Sequence, residues 1–134
     1  MSLKEEERKV LVNMELEKSE RLLSELDSYR QLGYWSTLAN RVYYTLFHAV
    51  SALLINDAIE VGSHKGAAIR FQQYFIKTGV FSREEGRFYA QMQTLREQAD
   101  YNCAYEIGEE EIVPKIAPTK ELIEKIKQYI ENKQ

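Results

Sequence analysis

The chain has 134 residues, of which 44% are hydrophobic and 29% charged, with a net charge of −3. This length and composition are typical of one globular domain with its own core, and no apolar run approaches the roughly 20 residues that span a bilayer. The single cysteine, Cys103, excludes an intramolecular disulfide, and with two histidines it argues against a structural zinc site. Because the charged N-terminus does not resemble a signal peptide, we expect a cytoplasmic protein without membrane contact. We also expect neither a metal nor a cofactor.

The N-terminal half predicts a hairpin of two long helices. Apolar residues at three- and four-residue steps indicate a first helix over about residues 3–32 and a second over about 34–57. Gly33 is placed to end the first helix in a left-handed conformation. With one or two residues between them, the two helices must run antiparallel.

Two serines predict the starts of the next helices. Ser63 is a favourable N-cap for a third helix, which Gly79 ends. The run Ser82-Arg83-Glu84-Glu85 is a capping box, in which the serine hydroxyl and the Glu85 carboxylate each accept an amide hydrogen bond at the start of a fourth helix.

A last helix is expected over about residues 109–132. Pro114 is tolerable near its start, whereas Pro118 removes a backbone hydrogen bond and is expected to kink or split the helix. With no strand-like alternation, the sequence predicts an all-α, up-and-down bundle of about five helices that forms a single domain over residues 1–134.

The end of the fourth helix carries the most distinctive polar segment, residues 96–102. Arg96 and Asp100 are four residues apart and can form an ion pair along the helix, worth about 0.3–0.5 kcal/mol when exposed. A helix end is also a place where side chains reach a groove. The sequence leaves open whether the segment is a plain ion pair or part of a binding site.

The second helix presents further candidate ligand-binding residues. Arg41 and Tyr44 flank its apolar stripe and could face the same groove as Arg96. The alternative is that Tyr43 and Tyr44 are core aromatics with solvated hydroxyls, which we favour for at least one of them. His48 is a candidate too, although a lone histidine beside core residues is more often a hydrogen-bonded packing residue.

His64 and Lys65 lie on the first turn of the third helix, where free backbone N–H groups and a lysine could bind an anion. The alternative is a solvated helix start. The surrounding run, Gly62-Ser63-His64-Lys65-Gly66, does not match a Walker-type phosphate-binding loop.

Four ordered blocks of sequence resemble the HEPN superfamily (higher eukaryote and prokaryote nucleotide-binding), in particular an uncharacterised prokaryotic branch. The blocks are residues 41–49 (RVYYTLFHA), 62–66 (GSHKG), 75–79 (FIKTG) and 95–101 (LREQADY). The resemblance extends over about residues 15–105. It implies a helical bundle that usually dimerises and that often partners a minimal nucleotidyltransferase.

Some HEPN proteins are metal-independent ribonuclease toxins, in which a catalytic arginine is followed four to six residues later by a histidine. Arg96 matches that arginine, but Asp100, Tyr101 and Asn102 follow it and no histidine does. A tyrosine at the histidine position titrates near pH 10 and is a poor proton shuttle at neutral pH. Either His48 or His64 would have to supply the proton chemistry from another helix.

Three functions therefore remain open. The first is a HEPN-type module that dimerises and binds a nucleotidyltransferase partner, a nucleotide or RNA without efficient catalysis. The second is a ribonuclease toxin of a toxin–antitoxin pair that uses Arg96 and Tyr101. The third is a plain helical adaptor. In either of the first two, a groove between the second and fourth helices is expected to bring together Arg41, Tyr44, Arg96, Asp100 and Tyr101.

Overall fold

The computed structural model describes residues 4–60 and 62–133. Helices make up 82% of the described residues, which contain no strand, and this confirms the all-α class. The elements are α1 (Glu5–Leu32), α2 (Trp35–Asn56), α3 (His64–Phe71) with a π-helical turn (Gln72–Ile76), α4 (Arg83–Tyr101), α5 (Glu109–Ile112), a 3-10 turn (Val113–Lys115) and α6 (Ile116–Asn132).

The predicted hairpin of α1 and α2 is confirmed. Gly33 ends α1 at a φ of 72°, a left-handed conformation that glycine adopts without a side-chain clash. Farther along the pair, the buried hydroxyl of Ser19 on α1 donates to the backbone carbonyl of Thr45 on α2 over 2.7 Å. Because this bond satisfies a buried hydroxyl, it fixes the register of the two helices without leaving an unpaired polar group.

Both predicted serine caps are present. The Ser63 hydroxyl accepts from the Gly66 amide at 2.9 Å, and Ser82 and Glu85 form the complete capping box. A close approach joins α4 to the π-helical turn, because a Cβ on Gly86 would lie 2.7 Å from Oε1 of Gln72. The Gln72 side chain also donates to the Gly86 carbonyl at 2.8 Å. Glycine at position 86 is therefore what allows these two elements to touch.

The last helix breaks at a different proline from the one we predicted. The interruption is the 3-10 turn Val113–Lys115, which contains Pro114, and Pro118 lies in the first turn of α6. Backbone N–H groups of a first turn have no helical partner to lose, so a proline is tolerated there. The prediction that Pro118 splits the helix was therefore wrong, since the new helix starts just before it.

Helix α2 is the centre of the bundle, because it packs against α1, α3, α4 and α6. Twelve of its residues are buried, including Tyr43 and the continuous run from Ala49 to Leu54. This surrounded position means that polar side chains on α2 meet those of several helices at once. Among the described residues, no helix combines the length and apolar character needed to cross a membrane.

Candidate functional site

Arg96 is the central residue of the candidate site. It lies in the last two turns of α4, faces α2, and is only 5% exposed. Its guanidinium carbon lies 5.0 Å from the ring centroid of Tyr43, 5.7 Å from that of Tyr44 and 5.6 Å from that of Tyr101. Three aromatic faces therefore surround the cation, which gives it favourable cation–π contacts while removing it from water.

The polar partners of Arg96 are few and distant. Its Nη1 donates to the Tyr101 hydroxyl over 3.4 Å and lies 3.6 Å from Oδ2 of Asp100. Asp100 is shared, because the same oxygen accepts from the Asn40 amide at 3.0 Å. Nε of Arg96 is buried and has no hydrogen-bond partner among the described residues. Since a guanidinium carries five N–H donors, this one is poorly satisfied for a buried cation.

Arg96 nevertheless keeps its charge. Burial by itself lowers the pKa of the guanidinium, but the Tyr101 hydroxyl and the neighbouring tyrosine rings act in the opposite direction, and the net pKa is raised. The site therefore holds a permanent positive charge whose nearest acceptors, a hydroxyl and a carboxylate, both lie at long distances.

The structure brings His64, from the start of α3, to the same place. Its Nδ1 lies 3.0 Å from the Tyr43 hydroxyl, and its ring centroid is 4.4 Å from that of Phe47 and 5.5 Å from that of Tyr44. Burial lowers the pKa of His64, and the positive charge of Arg96 lowers it further. His64 is thus a neutral imidazole at pH 7, beside a cation.

Tyr43 connects the two groups and is completely buried. Burial raises the pKa of its hydroxyl to about 12, so the hydroxyl stays protonated at neutral pH. We expected at least one of Tyr43 and Tyr44 to be a core residue, and Tyr43 is one, but it also bonds His64. The sequence reasoning missed this second role, together with that of Asn40.

A sequence signal for these two residues does exist. Asn40, Tyr43, Tyr44 and Phe47 follow one another at steps of three, one and three residues, which places them on one face of α2. That face meets both α3 and α4, and a search for polar and aromatic residues at this spacing would have found it.

Two other candidates on α2 face α1 instead. The Arg41 guanidinium packs over the ring of Tyr29, 5.9 Å from its centroid, rather than in the contact with Arg96 that we expected. His48 Nδ1 lies 2.9 Å from the Glu15 carboxylate, so this histidine is held by an acid on α1. Both residues lie at the edge of the site, because helical geometry turns them away from the Arg96 side of α2.

Lys65 is exposed on the first turn of α3, and its ammonium makes no hydrogen bond or ion pair with any described residue. No group of three or more metal-ligating side chains occurs in the described part of the chain.

An open cleft of about 620 Å³ lies between α4 and α5, lined in part by Arg87, Gln91 and Gln98. Helical spacing places those residues on the opposite side of α4 from Arg96.

Comparisons with known proteins agree with the resemblance inferred from the sequence blocks. The family model described as "HEPN domain" matches residues 12–132. A "UPF0332 protein" of Thermotoga maritima is 36% identical over 93 residues, which cover 69% of this chain and 70% of that protein. "Putative toxin MJ0142" of Methanocaldococcus jannaschii is 28% identical over 118 residues, or 88% and 80% of the two chains. "Putative toxin MJ0605" of the same organism is 34% identical over 61 residues, 46% of each chain. The chain therefore belongs to the HEPN family.

Proposed function

We propose that this chain is a HEPN-type helical module that binds the phosphate group of a nucleotide or of RNA at Arg96, without efficient catalysis. One observation carries the proposal: Arg96 is permanently charged and only 5% exposed, and its guanidinium has one long hydrogen bond, a carboxylate 3.6 Å away and an unpartnered Nε. A buried charge that lacks good acceptors is destabilising, so its retention needs another reason. A phosphate provides that reason, because its oxygens match the planar fork of an arginine.

A ligand reaches Arg96 only if the covering side chains move. Tyr101 is the last residue of α4 and is 76% exposed, and its hydroxyl bond to Arg96 is 3.4 Å long. Rotating an exposed side chain at a helix end disturbs little packing. Asp100 is the second obstacle, since its carboxylate competes with any anion for the guanidinium. The phosphate therefore replaces a long hydrogen bond and a long ion pair with closer contacts.

The absence of an imidazole after Arg96 is the argument against efficient catalysis. Metal-free RNA cleavage needs a base for the 2′-hydroxyl proton and an acid for the leaving oxygen, and an arginine supplies neither at neutral pH. Such acid–base help is typically worth about 10²–10⁴-fold in rate. Asp100, Tyr101 and Asn102 follow Arg96, and the imidazole beside it is that of His64 from α3. A single imidazole supplies either the base or the acid at one time, so we expect at most residual cleavage.

Binding of single-stranded phosphodiesters tests the proposal. A short oligothymidylate cannot be cleaved through a 2′-hydroxyl, so its affinity reports binding alone, and AMP serves as the mononucleotide probe. We expect Arg96→Met to weaken binding about 10–100-fold, the range for a lost hydrogen bond to a charged group. Arg87→Met is the matched control, because it removes the same charge from the opposite side of α4. Equal affinities of the two variants would refute the Arg96 site.

The second candidate is a ribonuclease toxin, which is favoured by two relatives whose names call them putative toxins. Metal-free digestion of a mixed RNA pool distinguishes it from the first. We expect little cleavage by the wild type. Robust cleavage that disappears in Arg96→Ala would instead establish the toxin function for this chain.

We further propose that the chain dimerises and pairs with a minimal nucleotidyltransferase, as the family resemblance implies. A partner could cover exposed apolar side chains on two elements. Val10 and Met14 lie on α1, and Ile69 and Tyr74 lie on α3 and on the π-helical turn that follows it. Sedimentation at tens of micromolar tests the dimer, and a strict monomer would contradict it. Co-expression with a minimal nucleotidyltransferase of the same genome, followed by size-exclusion chromatography, tests the pair.

A further inference from the structure

His64 and Arg96 come from different helices but contact the same two aromatic rings. The guanidinium carbon of Arg96 lies 5.0 Å from the centroid of Tyr43 and 5.7 Å from that of Tyr44. The imidazole of His64 lies 5.7 Å and 5.5 Å from the same two centroids. The two nitrogen-bearing groups therefore occupy one end of the α2 face, where a single ligand could meet both.

The hydrogen bond to Tyr43 determines which nitrogen of His64 carries the proton. The Tyr43 hydroxyl is buried and protonated, and it lies 3.0 Å from Nδ1. When the imidazole is neutral, this hydroxyl donates to Nδ1, so we assign the imidazole proton to Nε2. No described residue makes a hydrogen bond with Nε2. His64 therefore has a free N–H donor on the side of its ring away from Tyr43.

We propose that His64 is the second phosphate-binding residue of the Arg96 site, and that Nε2–H of His64 donates to a phosphodiester whose charge is held by Arg96. This inference rests on the proposed function and specifies its ligand as the backbone of single-stranded nucleic acid. The site is composite, because α3 supplies the imidazole and α4 the guanidinium. Tyr43 acts as the positioning residue that holds the His64 ring by its Nδ1.

The surroundings of His64 make such binding depend on pH. The charged groups that act on it are Arg96 and His48, which disfavour the imidazolium, and Glu97, which favours it. A phosphodiester bound beside Arg96 offsets the guanidinium charge and so raises the pKa of His64. A group whose pKa is higher in the complex takes up a proton on binding, and affinity then increases as pH falls. For each unit by which binding raises the pKa of His64, the affinity at low pH is about tenfold higher than at high pH.

The first test measures the affinity for an oligothymidylate of about six nucleotides, which has no group that titrates between about pH 5.5 and about pH 7.5. We expect the wild type to bind up to about tenfold more tightly at the lower pH. His64→Leu, which removes the N–H donor, should lose this dependence and bind about 2–10-fold more weakly at the higher pH, as expected for one lost neutral hydrogen bond. AMP, compared at the higher pH alone, separates a phosphomonoester from a phosphodiester. Preferential binding of AMP would overturn the assignment of the ligand.

The second test does not depend on how well a His64 variant folds. The chain has two histidines, so the His48→Gln variant leaves His64 as the one imidazole to be followed by NMR. We expect the pKa of His64 to rise when oligothymidylate is added. An unchanged pKa, together with binding that Arg96→Met abolishes, would overturn the role of His64 and leave the Arg96 site intact. If the wild type binds no oligothymidylate, the proposed function itself fails.

Discussion

Two aromatic clusters lie in this bundle, and they differ in what they surround. The arginine cluster consists of Tyr43, Tyr44, Phe47 and Tyr101 with Arg96 and His64. The phenylalanine cluster consists of Phe71, Phe75, Phe81 and Tyr129, with ring centroids 5.5–6.3 Å apart. A cation touches the second cluster as well, since the Lys125 ammonium lies 5.1 Å from the Phe81 centroid. That ammonium is half-exposed and bonds Glu85 at 2.8 Å.

The two clusters differ in how exposed the cation is and in how well it is paired. Lys125 stands at the rim of its cluster with a carboxylate partner, so nothing about it requires a ligand. Arg96 lies inside its cluster with long contacts and an unpartnered Nε. Aromatic content therefore does not distinguish the two clusters, whereas the burial and poor pairing of the cation does. The phenylalanine cluster should stabilise the fold, and the arginine cluster should contribute little stability and carry the binding.

The largest expected effect contrasts one residue from each cluster. Phe75→Ala should lower the free energy of unfolding by about 3–5 kcal/mol, because it empties a space in a packed core. Arg96→Met should lower it by less, about 1–2 kcal/mol, because methionine fills most of the same space and removes a poorly satisfied charge, although the cation–π contacts are lost. Urea unfolding measures both. If Arg96→Met were as damaging as Phe75→Ala, the arginine would be structural and the contrast would fail.

The next effect tests the contact between α4 and the π-helical turn beside the phenylalanine cluster. Gly86→Ala would place a methyl group 2.7 Å from Oε1 of Gln72 and 2.9 Å from Cγ1 of Ile76. We expect a loss of about 1–3 kcal/mol, which is typical of overpacking. Gly62→Ala is the control, since a Cβ there meets nothing within 4 Å. Equal stabilities of the two variants, compared by thermal unfolding, would show that the helices separate easily.

The burial of Tyr43 predicts a loss of stability in alkali. Its pKa is raised to about 12 from 10.0, so the unfolded chain releases this proton first as pH rises. The contribution of the protonated Tyr43 hydroxyl to the free energy of unfolding is fully present below pH 10. It is lost between pH 10 and about 12, at up to about 1.4 kcal/mol per pH unit. Tyr43→Phe should show a shallower decline when unfolding free energies are measured across this range. Identical declines would mean that the hydroxyl is accessible to water.

The smallest effect concerns the acid in the arginine cluster. Asp100→Asn removes the carboxylate 3.6 Å from Nη1 of Arg96, so a bound phosphate no longer competes with it. We expect oligothymidylate affinity to rise about 1.5–5-fold, the equivalent of a partly exposed ion pair. Asp27→Asn makes the same charge change at an exposed pair on α1 and serves as the control. Weaker binding by Asp100→Asn would show that Asp100 helps the ligand instead of competing with it.

Local features of the fold were predictable from the sequence. Gly33, Ser63 and Ser82 act through groups within a few residues of themselves, so their roles follow from the chain alone. The position of the last helix break was not predictable in this way. Pro114 and Pro118 are each compatible with a helix start. The packing of α5 and α6 on α2 decides which of the two prolines lies in the break.

The candidate site was predictable only within single helices. The pairing of Arg96 with Asp100 follows from helical spacing, because the two residues are four apart. The placement of His64 against Tyr43 does not, because it depends on how α3 packs across α2. Arg41 shows the opposite error. We assigned it to the face of α2 that meets α4, but it lies beside that face and packs on Tyr29 of α1. A rotation of roughly 100° per residue is enough to move a side chain from one neighbouring helix to another.

The most direct test of the central claim is the affinity for oligothymidylate as a function of salt concentration, measured for the wild type, Arg96→Met and Arg87→Met. If Arg96 holds a phosphate, Arg96→Met should bind about 10–100-fold more weakly. Its plot of log affinity against log salt should also be shallower by about 0.7, the change for one lost contact to single-stranded nucleic acid. Arg87→Met should follow the wild type in both respects. A folded Arg96→Met variant with the affinity and salt dependence of the wild type would contradict the account.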